Sequence, residues 1–378
     1  MKTTQMKPIR ILHILHSMNR GGTENAIMNY YRHIDKSKIQ FDFLLTCVRK
    51  CDFEDEILSL GGRINRVPQP SLFKIKSYSN AVGIFLQSHN EYKIVHSHTS
   101  SKSTLPLWIA KRKGVPIRIA HAHSNASEPG FMGFIRNSLK WPLKKIATDF
   151  MACGYDAGVW LYGINFMQKG RVHILKNVIE CQKFNFNQEV RVQMRKMLGL
   201  QEDSIVVGNV ARFNVDKNHL FLLDVFAEAL KLNPNLHLLL VGDGELRDTI
   251  EKKITELRLT QNVILTGVVS NVYDFLQAMD IFLFPSLHEG LGMGLIEAQV
   301  AGLTCFTSAI TVPKAADITG MVHYLPLSET PISWANYILE HIPLIRKGHI
   351  DDARKAGYDA ELAASVLQKY YIERFNMA

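Results

Sequence analysis

Two glutamates with three glycines between them stand out in the segment FPSLHEGLGMGLIEA, residues 284–298. Glu289 and Glu297 lie eight positions apart, where an apolar run passes into a helical pattern. Carboxylates accept hydrogen bonds from paired hydroxyl groups, as in ribose and other sugars. The start of a helix offers free N–H groups to phosphate, and glycines let a ligand approach the backbone. The segment therefore predicts a site for a hydroxyl-rich anion, with a plain glycine turn carrying two exposed glutamates as the alternative.

Two cations occupy a similar position in the segment VARFNVDKNH, where Arg212 and Lys217 follow a predicted strand and precede a predicted helix. A pair of cations at such a turn suits a diphosphate, because Arg forms bidentate hydrogen bonds and Lys supplies a compact charge. An ordinary solvated loop is the competing interpretation.

A glycine pair, Gly21 and Gly22, lies in NRGGTEN between the first predicted strand and the first predicted helix. This position suits close approach of a phosphate or acceptor group to the backbone. The segment is not the GxGxxG pattern of dinucleotide-binding proteins, and no acidic residue is clearly placed for an NAD ribose.

Two His-x-His pairs end two predicted strands, and within each pair both side chains face the same side of the strand. The four residues are His96, His98, His121 and His123. No carboxylate or cysteine completes a metal-ligand pattern, and strand-end histidines often make structural hydrogen bonds. We therefore expect no metal site and a polar contact to substrate from this group.

The segment 130–150 combines aromatic residues with basic ones, including Phe131, Phe134 and Trp141 beside Lys140, Lys144 and Lys145. A basic amphipathic segment with aromatics can lie on an anionic membrane surface. A core helix with a solvated basic face is equally compatible, and Pro142 argues against one long straight helix.

Strand and helix patterns alternate along the chain, stop near residue 178 and then begin again. Short apolar runs such as IRILHIL (9–15), SIVVGNV (204–210) and TCFTS (304–308) are typical of buried parallel strands. Two such series predict two Rossmann-like, doubly wound α/β domains with ligands at the carboxyl ends of the strands and in a cleft between domains. The expected divisions are 1–178, 179–357 and a terminal helical segment, 358–378, that packs back on the first domain.

Charge is divided unevenly over the 378 residues, whose net charge is +9. Residues 1–180 contain 26 Lys and Arg against 12 Asp and Glu, whereas residues 181–378 contain 18 against 23. A basic first half suggests an anionic partner or simply a solvated surface. The five cysteines fit no zinc or disulfide framework, and no convincing signal peptide or bilayer-length apolar run is present. We expect reduced thiols and a cytoplasmic protein, which would lie at the inner face of the plasma membrane if the segment 130–150 binds anionic lipids.

Taken together, these segments resemble the retaining GT-B enzymes of glycosyltransferase family 4 over nearly the whole chain. PSLHEGLGMGLIEAQVAG resembles the family's E-x7-E signature, GNVARFNVDKNH its G-R-L-x-x-x-K-G segment, LVGDGEL the glycine turn that follows, and NRGGTEN its GG-x-E loop. More narrowly, the chain is similar to members that build bacterial exopolysaccharides and capsules.

The resemblance implies a role for each matching position. Arg212 and Lys217 would hold the diphosphate of a nucleotide-sugar donor, with UDP as the expected nucleotide, and Glu297 would hold its ribose. Glu289 would contact the transferred sugar, and either His121 or His123 would do so from the first domain. The other donor-binding positions would be Gly21, Gly22, Gly290, Leu291, Gly292 and Met293.

The resemblance also implies a mechanism without a protein nucleophile, a divalent metal or a cofactor. The acceptor would be a lipid-linked sugar or a saccharide, and no nucleic-acid partner is expected. The chain departs from the family pattern at Lys176 and Val178 in the linker and in the residues after Glu289, where many members have phenylalanine and proline. These departures leave the sugar preference open.

Three other functions compete with this interpretation. A non-catalytic partner subunit of another glycosyltransferase could lose the donor-site charges, which this chain keeps. An NAD-dependent oxidoreductase would need the missing GxGxxG fingerprint. A nucleotide-sugar epimerase would carry different motifs.

Overall fold

The computed structural model describes residues 7–71, 74–123, 130–342 and 345–378. The chain forms two compact units. Unit 1 comprises Met1–Ile179 together with Ala360–Ala378, and unit 2 comprises Glu180–Asp359. The division therefore falls between Ile179 and Glu180, and the C-terminal segment belongs to unit 1.

Unit 1 is built on a seven-stranded parallel sheet with the order β3-β2-β1-β4-β5-β6-β7. Its central strands are buried on both faces, which explains their continuous apolar runs. The strands are β1 (Ile9–Leu15), β2 (Ile39–Leu45), β3 (Ile64–Arg66), β4 (Ile94–Ser97), β5 (Ile117–Ala122), β6 (Asp149–Ala152) and β7 (His173–Ile174). The helices between them are α1 (Gly22–His33), α2 (Glu54–Ser59), α3 (Ile75–Ser88), α4 (Thr104–Arg112), α5 (Gly130–Ile146), α6 (Tyr155–Tyr162) and α7 (Ile164–Gln168).

Unit 2 repeats the design with a six-stranded parallel sheet in the order β10-β9-β8-β11-β12-β13. The strands are β8 (Ile205–Val210), β9 (Leu236–Val241), β10 (Val263–Leu265), β11 (Ile281–Phe284), β12 (Thr304–Ser308) and β13 (Val322–Leu325). The helices are α8 (Cys181–Phe184), α9 (Gln188–Met197), α10 (His219–Leu232), α11 (Arg247–Glu256), α12 (Val272–Ala278), α13 (Met293–Val300), α14 (Pro331–Glu340) and α15 (Ile350–Lys355).

The last helix, α16 (Ala360–Asn376), packs on α1 within unit 1. Ala364, Leu367 and Tyr371 follow helical spacing and are all buried. Asp149 at the start of β6 accepts hydrogen bonds from the Tyr370 hydroxyl (2.6 Å) and the Arg374 guanidinium (2.8 Å). These contacts make the end of the chain part of the first core.

Each sheet reverses its winding direction at one place, between β1 and β4 in unit 1 and between β8 and β11 in unit 2. In an open α/β sheet such a reversal opens a crevice at the carboxyl ends of the strands, where ligands bind. The prediction of two Rossmann-like parallel-sheet domains is confirmed. Sequence patterns did not single out β3, β7 and β13, which lie at sheet edges, are short and have no fully buried residue.

The five cysteines are free thiols, and the Sγ atoms of Cys47 and Cys51 lie 3.2 Å apart. Across the described residues, no helix combines the length and the apolar character needed to cross a bilayer.

Candidate functional site

The loops that follow β8 and β11 are joined to each other at the winding reversal of unit 2. The Leu287 N–H donates to the Asp216 carbonyl (2.7 Å), and the Asn218 side chain donates to the Pro285 carbonyl (3.1 Å). Asn218 adopts a left-handed conformation, φ 55°, which ends a short turn at Lys217 and starts α10. The two predicted motifs, whose Lys217 and Glu289 are 72 residues apart in the chain, therefore share one edge of the sheet.

An ion pair links the two motifs directly. Lys217 Nζ lies 2.5 Å from Glu289 Oε1, and the two side chains are only 22% and 8% exposed. Lys217 Nζ also lies 5.3 Å from the centre of the Phe284 ring. Removal of the lysine would leave a largely buried carboxylate without its counter-charge, which is a costly arrangement.

The glycines after Glu289 have different roles in the fold. Gly292 has φ +82° and precedes α13, a conformation that other residues rarely adopt. A Cβ at Gly294 would lie 3.2 Å from the Val210 carbonyl at the end of β8, whereas a Cβ at Gly290 would meet nothing within 4 Å. Backbone conformation therefore accounts for Gly292 and packing for Gly294, whereas Gly290 leaves open space beside the exposed backbone.

Glu297 lies in the second turn of α13. Met293, the first residue of that helix, and Leu291, just before the helix, are both partly buried. Burial raises the pKa of Glu297 to about 7. No hydrogen-bond or ion-pair partner for its carboxyl is found within residues 7–71, 74–123, 130–342 and 345–378. A mostly buried carboxyl of this kind can accept hydrogen bonds from a ligand's hydroxyl groups.

Arg212 is not joined to the Lys217–Glu289 pair. Its guanidinium lies 3.2 Å from Glu245 Oε2 in the loop after β9, and its side chain is 73% exposed. An exposed pair of this kind is worth little, so an anionic ligand can compete for the arginine. That loop is packed tightly, because a Cβ at Gly242 would lie 2.0 Å from the Ala211 carbonyl.

The glycine pair of unit 1 lies at the start of α1. Gly21 is the residue before the helix and has an extended backbone. A Cβ at Gly22 would meet nothing within 4 Å, and one at Gly21 would meet only the flexible end of Glu24. Packing does not demand glycine here, so the open space is available to a ligand at the helix N-terminus.

The two His-x-His pairs of unit 1 meet each other and a fifth histidine, His13 of β1. His13 Nδ1 lies 2.8 Å from His98 Nε2, and His98 Nδ1 lies 2.8 Å from His123 Nε2. In a second chain, the Tyr371 hydroxyl lies 2.7 Å from His96 Nδ1, and His96 Nε2 lies 3.1 Å from His121 Nδ1. The two pairs are separate in the sequence, whereas the adjacency of β1, β4 and β5 brings all five histidines into one cluster, hereafter the histidine cluster.

The histidine cluster is uncharged at neutral pH. Burial lowers the pKa of His13 and of His123 to about 3. The pKa values of His96, His98 and His121 are lowered well below the usual range by burial and by repulsion from the neighbouring histidines. His123 keeps part of its side chain exposed, whereas His121 is buried.

Several polar residues at the strand ends were missed by sequence analysis. Among the described residues, the buried hydroxyls of Ser286, just after β11, and of Ser308, at the end of β12, have no hydrogen-bond partner. The same holds for both ring nitrogens of His219, beside Lys217. His13, Asp216 and Glu245 were missed as well. Their signal was weak, because single polar residues in apolar or loop segments carry no spacing of their own.

The basic segment 130–150 forms α5, with Pro142 inside the helix. Lys140 Nζ lies 3.6 Å from the centre of the Trp160 ring, and Lys145 Nζ lies 4.1 Å from that of Trp141, which is two-thirds exposed. The side chains of Phe131 and Phe134 lie outside the described part of the structure. The helix thus presents cations beside aromatic rings at its C-terminal half.

Sequence comparison places these features in a family. Residues 190–323 match the model for group 1 glycosyl transferases. EpsF of Bacillus subtilis strain 168, which is named as a glycosyltransferase, is 35% identical over 368 residues, covering 96% of each chain. The chain belongs to the group 1 glycosyltransferases. Another relative, the capsular polysaccharide biosynthesis glycosyltransferase CapH of Staphylococcus aureus, is 27% identical over 97% of this chain and 99% of its own.

Solved structures agree with this assignment at the level of the fold. Anabaena HepE, crystallised in complex with UDP, superimposes with a TM-score of 0.73 and 17% identity over 99% of this glycosyltransferase and 100% of HepE. WaaG, a glycosyltransferase involved in lipopolysaccharide biosynthesis, gives 0.67 and 16% over 94% and 95%. The fold is therefore GT-B, and the oxidoreductase and epimerase alternatives are set aside.

Proposed function

We propose that this glycosyltransferase transfers a sugar, with retention of configuration and without a catalytic metal, from a UDP-sugar to a lipid-linked or saccharide acceptor in exopolysaccharide or capsule synthesis. The observation that carries the proposal is the Lys217–Glu289 pair at the winding reversal of unit 2. At one edge of the sheet, the pair provides a fixed cation for a diphosphate and a carboxylate for sugar hydroxyls.

The names of related proteins support the choice of substrates. A relative in Escherichia coli, 27% identical over 82% of this chain and 81% of its own, is named as a galactosyltransferase acting from UDP-Gal on a GlcNAc-diphosphoundecaprenol. HepE has been crystallised with UDP-glucose. A UDP-sugar and a polyprenyl-diphosphate-linked acceptor are accordingly the first substrates to test.

Each residue has a physical role in the proposed reaction. Lys217 and Arg212 stabilise the negative charge that develops on the departing diphosphate, and the leaving group itself helps deprotonate the acceptor hydroxyl. Glu297 accepts hydrogen bonds from the ribose and Glu289 from the transferred sugar, while Gly290, Leu291, Gly292 and Met293 surround the sugar and phosphates. Contacts from unit 1 are proposed for Gly21, Gly22 and His123, the more exposed of the two candidate histidines.

The decisive experiment measures UDP release and sugar transfer with a panel of nucleotide sugars and lipid-diphosphate-linked acceptors. Lys217→Ala should lower the transfer rate about 100- to 1000-fold, the usual cost of losing one preorganised group that stabilises transition-state charge. Arg212→Ala should have a smaller effect, because its side chain is mostly exposed.

The matched control is Lys231→Ala, which breaks the exposed Lys231–Glu228 pair and should leave transfer unchanged. Unchanged transfer in Lys217→Ala, Arg212→Ala and Glu289→Ala alike would refute the proposal. Absence of thermal stabilisation by UDP, GDP, ADP and TDP sugars would favour a non-catalytic partner subunit instead.

We also propose that α5 holds the enzyme at an anionic membrane surface. Lys140, Lys144 and Lys145 should each add up to about 1 kcal/mol of attraction to acidic lipids. Replacement of all three by glutamine should therefore abolish sedimentation with phosphatidylserine vesicles, with Lys252→Gln on the solvent side of α11 as the control. Equal sedimentation of both variants would exclude this contact.

A further inference from the structure

Three ring nitrogens of the histidine cluster are buried and have no hydrogen-bond partner among the described residues: His13 Nε2, His121 Nε2 and His123 Nδ1. Folded proteins seldom leave buried polar atoms unsatisfied, because each one loses its hydrogen bonds to water. Three such atoms in one cluster require an explanation.

The hydrogen bonds between the rings cannot satisfy these atoms. A neutral imidazole has one N–H and one lone pair. Two hydrogen bonds connect His13, His98 and His123 in a row, so one end of the row always exposes an N–H and the other a lone pair, whichever way the protons point. His121 Nε2 is likewise the unpartnered end of the chain that starts at the Tyr371 hydroxyl.

We propose that His98, His121 and His123 bind one divalent transition-metal ion, with Zn²⁺ as the ion best suited to three neutral imidazoles. One ring nitrogen from each lies within 4.8 Å of those of the other two. Two ligands about 2.0–2.1 Å from one zinc ion lie roughly 3.0–3.4 Å apart, which is close to the 2.8 Å between His98 Nδ1 and His123 Nε2. Small ring movements would therefore complete the coordination. The ion would supply the missing partner of His121 Nε2, whereas His13 Nε2 and His123 Nδ1 would remain at the ends of their row.

The remaining histidines supply the outer shell that such a site needs. His98 keeps its Nε2 in contact with His13, and His121 keeps its Nδ1 in contact with His96, which Tyr371 holds in turn. Partners of this kind fix the ring orientation of metal-ligating histidines.

The cluster also has room for an ion. The five histidines line a cavity of about 10 Å³ in unit 1, close to the space of one water molecule. The site differs from a metal site for the donor diphosphate, because its ligands are buried nitrogens rather than the oxygens that Mg²⁺ prefers. The inference does not rest on the proposed function. Because His123 is proposed both as a metal ligand and as a contact of the donor sugar, bound metal is expected to lower sugar transfer.

The test titrates Co²⁺, a spectroscopic probe of zinc sites, into full-length protein that carries no polyhistidine tag and has been stripped with a chelator. Wild-type protein should bind one Co²⁺ per chain, with visible absorption typical of nitrogen ligands, and Zn²⁺ should displace it. His98→Gln and His121→Gln should weaken binding at least about 100-fold, and His13→Gln, which removes only an outer-shell partner, about 10- to 100-fold.

The matched control is His219→Gln, which removes a buried histidine of unit 2 with two unpartnered ring nitrogens and should leave Co²⁺ binding unchanged. Less than one Co²⁺ per wild-type chain would overturn the proposal without reference to any variant. Equal affinity in folded His98→Gln and wild type would also overturn it. A thiolate-to-cobalt absorption band would assign the ion to Cys47 and Cys51 and overturn it as well.

Discussion

At the winding reversal of unit 1, between β1 and β4, the structure places five histidines that are neutral at pH 7, four of them buried and His123 partly exposed. At the corresponding reversal of unit 2, between β8 and β11, it places the Lys217–Glu289 ion pair and a glycine turn. The two sheets share a parallel topology, and in each the candidate ligand-binding residues collect at the winding reversal. The residue types then decide the chemistry: neutral imidazoles respond to protons and metals, whereas a charged pair responds to an anionic ligand.

The largest expected difference between the units is their response to acid. The histidines of the cluster have pKa values below the ordinary value near 6.5. Below about pH 6.5 the folded protein therefore binds fewer protons than the unfolded chain. The free energy of unfolding is therefore unaffected by these histidines above about pH 6.5 and decreases as the pH falls towards 3. At about pH 5.5, each histidine lowers it by about 1.4 kcal/mol. Unit 2 buries one histidine, His219, within its described residues.

Hydrogen exchange followed by mass spectrometry can resolve this difference peptide by peptide. Between about pH 7 and pH 5, peptides from β4 and β5 should lose protection earlier than peptides from β11 and β12. His13→Gln should move the loss in unit 1 to lower pH, because one titrating group is removed. Simultaneous loss of protection in both units would show that the buried histidines do not make unit 1 more sensitive to acid than unit 2.

A second difference concerns two glycines, Gly242 in the loop after β9 of unit 2 and Gly22 after β1 of unit 1. Gly242→Ala should destabilise the protein by about 3 kcal/mol, because φ is +141° and the new Cβ would overlap the Ala211 carbonyl. Gly22→Ala should change stability by less than about 0.5 kcal/mol, since its Cβ would enter open space. Urea unfolding measures both values.

Gly22→Ala also separates packing from ligand binding. If the open space beside Gly22 receives the donor, the variant should bind UDP-sugar more weakly while unfolding at the same urea concentration as wild type. Comparable destabilisation by Gly242→Ala and Gly22→Ala would contradict the view that the loop at Gly242 is tightly packed and the loop at Gly22 is not.

The smallest expected effect is the pH dependence of nucleotide binding at unit 2. Because the pKa of Glu297 is about 7, its carboxyl changes from mostly ionised to mostly protonated near neutral pH. If Glu297 holds the ribose as proposed, its ionised form accepts more hydrogen bonds from the ribose hydroxyls, so UDP affinity should fall about tenfold between about pH 8 and pH 6. Calorimetry measures UDP affinity against pH for wild type and for the control Glu297→Gln. The control should depend less on pH than wild type, because only the nucleotide then titrates. Parallel profiles would remove Glu297 from the ribose site.

Much of the fold was accessible from the sequence because buried parallel strands are short apolar runs. β1 and β12 match their predicted bounds, and the helix predicted after Arg212 and Lys217 is observed as α10 (His219–Leu232). Edge strands such as β13 were missed, since a strand with one neighbour and partial exposure needs no continuous apolar run.

The candidate site was accessible in part. Charged residues and glycines at strand–helix junctions pointed to the edge where Lys217 and Glu289 meet. The pairing of Arg212 with Glu245 was not foreseen, because it depends on the neighbouring positions of β8 and β9 rather than on chain order. For the same reason, the position of His13 beside the two His-x-His pairs appears only when β1 and β4 are side by side.

The sequence by itself determined two α/β units, the division of charge between them and the residue types available at each strand end, since these follow from local periodicity and composition. Only the tertiary structure decided which strand ends are neighbours, because strand order is set by packing across the sheet. That order turned two separate histidine pairs and one buried histidine into a single cluster with unsatisfied nitrogens, and two distant loops into one ion-paired site.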